Sequence, residues 1–66
     1  MSFGENLKKI RLERGLSQNE LADRLFITST MISAIEAGRK EPSLALALGM
    51  AKVLETSVET IAGKKN

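Results

Sequence analysis

The sequence predicts an all-α domain assembled from five short helices, and three features predict it. Apolar residues recur three and four positions apart in successive segments, the spacing that places them on one helical face. Glycines stand where the first, third and fifth runs stop, at Gly15, Gly38 and Gly63, and serine or threonine opens the later runs. The one segment that alternates with period two, Leu44-Ala45-Leu46-Ala47-Leu48, is built of strong helix formers and has no β-branched residue before Val53. Its length decides for a helix.

Phe3, Leu7 and Ile10 define one face of a first helix that runs to about Arg14 and ends at Gly15. Ser17-Gln18-Asn19-Glu20 is a capping box, in which the serine hydroxyl and the glutamate carboxylate satisfy free amides reciprocally. The second helix then carries Leu21, Ala22 and Leu25, and Phe26-Ile27 forms a short connection. Thr28 caps a third helix with Met31, Ile32 and Ile35 at core spacing, and Gly38 stops it. Arg39-Lys40-Glu41-Pro42 is a polar loop, and Pro42-Ser43 leads into the fourth helix, LALALGMAKVLE. A short fifth helix begins near Ser57 and buries Val58 and Ile61. Residues 64–66 read as a frayed tail.

Sixty-six residues make a single domain, residues 1–66, with no repeat, linker or low-complexity run. A chain this short needs disulfides, a metal, a partner subunit or tight helix packing. It has no cysteine and no histidine, which removes disulfides and ordinary zinc sites. The 42% hydrophobic fraction supports a core. Catalysis is disfavoured, because Tyr and Trp are missing as well and Asp23 is the only aspartate. No catalytic residue, metal site, cofactor or small-molecule ligand is expected. The net charge of +2 comes from ten basic and eight acidic residues and is too small to point to a polyanion by itself. With no signal-length apolar run and no membrane span, the expected location is the cytoplasm.

Residues 18–37 form a compact helix, turn and helix. Leu21 and Leu25 can meet Ile32 and Ile35, and Ala22 sits where the crossing helices approach most closely. On a helical wheel Met31, Ile32, Ile35 and Glu36 take one side of the third helix, while Ser29, Thr30, Ser33 and Ala34 take the other. Exposed helix faces normally carry Lys and Glu. A small, uncharged, hydrogen-bonding face suits close approach to another surface, and the floor of a DNA major groove is one such surface.

RLERGLSQNELADRLFITSTMISAIEAGRKEPS resembles the helix-turn-helix of the Xre family, which includes the lambdoid phage repressors and Cro proteins. The matching pattern is Arg11, Gly15-Leu16-Ser17-Gln18, Glu20-Leu21-Ala22, Ile32-Ser33, Glu36, Gly38 and Pro42. It continues through Leu48, Ala51, Leu54 and Ile61. The resemblance implies a five-helix, lambda-repressor-like DNA-binding domain with its helix-turn-helix at helices 2 and 3. It implies a prokaryotic or phage transcriptional regulator, in the first place a repressor, that binds an approximately palindromic operator as a homodimer. By position, Ser29, Thr30, Ser33 and Ala34 read bases, and Gln18, Thr28, Arg39 and Lys40 contact phosphates. Arg11 and Glu36 match an internal salt bridge. Lys8, Lys9, Arg14 and Arg24 are read as solvated.

Relatives commonly carry glycine in the turn at the position of Phe26. If the turn needs a left-handed backbone, phenylalanine costs about 1–2 kcal/mol there. Either the turn is shaped differently or Phe26 gains by packing. On the fourth helix, Leu44, Ala47, Leu48, Ala51 and Leu54 cover the core-facing arc. Leu46, Met50 and Val53 form a second stripe, which with Val58 and Ala62 is expected to form the homodimer interface. Restriction–modification controller, antitoxin and phage repressor remain open within DNA binding. The alternative of a different class is a protein-interaction module, of the antitoxin type, that keeps the fold with little DNA specificity.

Overall fold

Each helix begins at a hydroxyl side chain. The computed structural model describes residues 2–63, and in it Ser2, Ser17, Thr28, Ser43 and Ser57 cap five helices in turn. These are α1 (Phe3–Glu13), α2 (Gln18–Leu25), α3 (Ser29–Glu36), α4 (Leu44–Val53) and α5 (Val58–Ile61), with no strand among the described residues. Every cap oxygen accepts the amide three residues on, which satisfies one of the free donors of the first turn. In α1 and α2 the box is complete: the Ser2 amide donates to Glu5 (3.0 Å) and the Ser17 amide to Glu20 (2.8 Å). Those backbone amides, with the serine hydroxyls, hold both carboxyls below their ordinary range. Residues 64–66, read from the sequence as a tail, lie outside the described residues.

Gly15 and Gly38 end α1 and α3 in the left-handed region, at φ of 73° and 80°. Helix α2 ends the same way without a glycine. Phe26 takes φ 59° and ψ 39°, its amide donates to Asp23 O (3.2 Å), and the Ile27 amide reaches back to Ala22 O (3.0 Å). Those two bonds make a Schellman close with phenylalanine at its left-handed position. The side chain is 96% exposed. The turn is therefore left-handed after all, and Phe26 gains no packing within the chain to offset it.

The core joins all five helices through Leu7, Leu21, Ile32, Ile35, Met50, Leu54 and Ile61, each fully buried. Ala22 and Ala51 are buried in the same cluster. At Gly4 the backbone of α1 lies directly against the end of α3: a Cβ there would collide with Ile35 O and stand 2.7 Å from Glu36 O. Two long-range bonds tie the ends of elements together. Asn6 Nδ2 donates to Ile61 O (2.8 Å), fastening α1 to α5, and Arg14 Nε donates to Leu54 O (2.8 Å) at the end of α4. Arg14 is thus a helix-capping residue rather than a merely solvated one.

Helix α4 is rotated from the orientation its sequence suggests. Ala47, Met50, Ala51 and Leu54 are buried, whereas Leu44 and Leu48, expected in the core, are 72% and 55% exposed. Met50 therefore cannot serve a partner, because it is sealed inside its own chain. Leu46, Val53 and Val58 are half-buried against that core, and Ala62 is half-buried too. The physical reason is that α4 is apolar nearly all round, so periodicity alone selects no face. Packing chose the arc holding the long, flexible Met50, and Gly49 lets Leu25 approach to 3.2 Å of where a Cβ would stand.

Candidate nucleic-acid interface

Helices α2 and α3 pack on one another through Leu21, Ala22, Ile32 and Ile35, all buried. That contact sets where their outer atoms fall. The N-terminus of α2 and the first residue of α3 border one open groove, in which Gln18 and Asn19 line the same space as Ser29. Each cap satisfies only the third amide of its helix. The amides of Gln18 and Asn19 in α2, and of Ser29 and Thr30 in α3, have no partner among the described residues. Four backbone donors at the positive ends of two helix dipoles make an anion-seeking edge. Thr28 adds to it, since accepting the Met31 amide (3.2 Å) leaves its hydroxyl proton for another acceptor.

Thr30 is exposed, and Ser29, Ser33 and Ala34 are half-buried, so the four share an accessible, uncharged face of α3. Arg39 and Lys40 are exposed just beyond the C-terminus of α3. No group of side chains among the described residues could hold a metal ion, and no helix there is long and apolar enough to cross a membrane.

Behind this edge lies a buried polar knot. Arg11 Nε donates to Glu36 Oε2 (2.6 Å), its Nη2 to Glu36 Oε1 (3.1 Å) and its Nη1 to Leu16 O (2.7 Å). The two side chains are 6% and 4% exposed. A bidentate guanidinium–carboxylate pair in which every guanidinium nitrogen has a partner is the arrangement in which buried charges are tolerated. Sequence reasoning missed a third member. Gln18 Nε2 donates to the same Glu36 Oε1 at 3.0 Å, across 18 residues of chain. Nothing in the local pattern signals that bond, because it exists only once α2 and α3 have docked.

Two crossing helices joined by a short left-handed turn, with the second helix presenting a small polar face, define a helix-turn-helix module. The helix-turn-helix family model matches residues 7–61. The chain belongs to this family, in its Xre-like branch. It is 37% identical over 57 residues to the uncharacterized HTH-type transcriptional regulator YqaE of Bacillus subtilis, covering 86% of this chain and 49% of that protein. It is 34% identical over 65 residues to the immunity repressor protein of Bacillus phage phi105, covering 98% of this chain and 45% of that protein. The chain thus spans about half the length of these relatives. A crystal structure of SinR, the master regulator for biofilm formation, in complex with DNA superposes with a TM-score of 0.83 at 32% identity, covering 89% of this chain and 95% of that one. The relatives are named as regulators, not as enzymes.

Proposed function

We propose that the chain is the sequence-specific, double-stranded-DNA-binding module of a cytoplasmic transcriptional regulator, acting as a repressor through occupancy of a promoter. The observation that carries this reading is the convergence of two helix N-termini, at Gln18 and Ser29, on one groove beside the uncharged face of α3. Helix α3 enters the major groove. Ser29, Thr30 and Ser33 read base edges by hydrogen bonding, and the Ala34 methyl packs on a thymine methyl. Gln18, Thr28, Arg39 and Lys40 take phosphates and set the register. The likeness to an immunity repressor and to a regulator crystallised with DNA supports the reading.

The operator is an approximate inverted repeat bound by a homodimer, with recognition helices about 34 Å apart. The apolar row that the fold leaves uncovered is Leu44 and Leu48, which border a shallow groove with Lys52 and Val58. This row takes the place of the buried Met50 in the dimer interface. The test is selection from a random duplex pool at physiological salt. Enrichment of an inverted repeat with half-site centres one turn apart is the expected outcome. A single unpaired half-site would remove the dimer from the reading, and no enrichment would overturn DNA recognition in favour of a protein-interaction module.

A further inference from the structure

The Arg11–Glu36 pair is buried, has a partner at each side-chain nitrogen and oxygen, and is explicable as structure alone, yet one of its oxygens is shared with a residue at the edge proposed to face DNA. Glu36 Oε1 receives both Arg11 Nη2 (3.1 Å) and Gln18 Nε2 (3.0 Å). We infer that Glu36 is a positioning residue for phosphate binding: held by Arg11, it fixes the carboxamide of Gln18 in the conformer that receives the DNA backbone. The inference rests on the DNA-binding reading and adds to it a residue that touches no DNA.

The chemistry explains why a carboxylate suits this position. A glutamine side chain has three rotatable torsions and a carboxamide whose two ends differ, one donating and one accepting. On an exposed helix terminus it samples many conformers, and ordering it on binding costs affinity. An ionised carboxylate only accepts, so it dictates that Gln18 presents Nε2 inward. That bond leaves the second Nε2 proton, with the free backbone amides of Gln18 and Asn19, for a phosphate. Arg11 performs a separate task. Unpaired, the Glu36 carboxylate would repel the phosphate that Gln18 is placed to bind, and the bidentate guanidinium cancels its charge. Orientation is gained without a net negative charge at the site.

The test is a double-mutant cycle read by binding to a fluorescent random-sequence DNA duplex at low salt, which suffices because a phosphate contact is blind to sequence. Thermal midpoints of all four proteins are measured alongside. Gln18→Ala is expected to weaken binding about ten-fold, in line with loss of a hydrogen bond to a charged group. Glu36→Gln is expected to weaken binding several-fold beside Gln18 and to have no such effect beside Ala at position 18. A merely structural role for Glu36 would lower the thermal midpoint and change affinity by the same factor in both backgrounds, and that result would overturn the inference. The cycle cancels whatever the lost charge does in both backgrounds. Should Glu36→Gln fail to fold, the charge-neutral pair Arg11→Met with Glu36→Leu replaces it, with the same coupling to Gln18→Ala expected. No salt-dependent binding by the native protein would overturn the DNA reading, and this inference with it. Binding with an additive cycle would overturn the inference alone.

Discussion

Phe26 should be replaceable by glycine with a gain in stability. Its φ of 59° costs a side-chain-bearing residue about 1–2 kcal/mol, and at 96% exposure the ring returns nothing by burial. Phe26→Gly removes that strain. It also frees the unfolded chain, which takes back about 0.4–1 kcal/mol. The net expectation is a stabilisation of about 0.5–1 kcal/mol, or roughly 2–8 °C in the midpoint of a domain this size. Thermal and urea unfolding followed by circular dichroism measure it, with the urea slope unchanged if the native and denatured ensembles stay the same. Phe26→Ala is the control, because alanine keeps the strained Cβ and removes only the ring. Glycine stabilising while alanine does not identifies backbone strain. A midpoint that falls with glycine would refute the reasoning and show that the ring makes a contact worth more than the strain.

Other perturbations probe separate parts of the fold. Gly4→Ala drives a Cβ into two backbone carbonyls of α3, neither of which can rotate away, and is expected to cost about 3 kcal/mol or more by chemical denaturation. Thr30→Ala should cost about 1–3 kcal/mol against the selected operator while leaving binding to unrelated duplexes nearly intact. Lys40→Ala should instead weaken all sequences alike and flatten the salt dependence of binding. Leu48→Glu is expected to turn a sedimenting dimer into a monomer with little change in the monomer's unfolding, and an unchanged mass would exclude this face as the interface. The Glu20 carboxyl is held below its ordinary value of 4.5, principally by the Ser17 backbone amide, so its contribution is present above that value and is lost as pH falls through the lower folded one. Glu20→Gln, which cannot titrate, should flatten the stability profile on that acid side, and an unaltered profile would count against the capping carboxylate.

The helices were legible because each is punctuated locally. Ser17 with Glu20, Thr28, Gly15 and Gly38 act on their own neighbours, so their effect is readable without the fold. The uncharged face of α3 was equally legible, being a matter of spacing. The orientation of α4 was not, since nearly every position in LALALGMAKV is apolar and several arcs could face inward. One signal was present. Leu44, Leu48 and Lys52 follow at i, i+4 and i+8, and the helix's only charge marks that row as the outer one. The Gln18–Glu36 and Asn6–Ile61 bonds were beyond reach for a different reason, as they join residues 18 and 55 positions apart. The left-handed turn at Phe26 was foreseen only as an alternative, because phenylalanine itself argues against it.

The ion pair joining Arg11 to Glu36 also bears on how far the binding module can be transplanted. Residues 18–37 include the carboxylate, but the guanidinium that neutralises it comes from α1, outside that unit. Moved alone into another scaffold, the segment would carry a charge adapted to burial with nothing opposite it, and would lose the α1 backbone that Gly4 brings against Ile35 and Glu36. Swapping Ser29, Thr30, Ser33 and Ala34 within α3 leaves every one of those supports in place. On the proposed reading of α3, DNA specificity can therefore be altered one outward side chain at a time, whereas exchange of the whole two-helix segment requires α1 to travel with it.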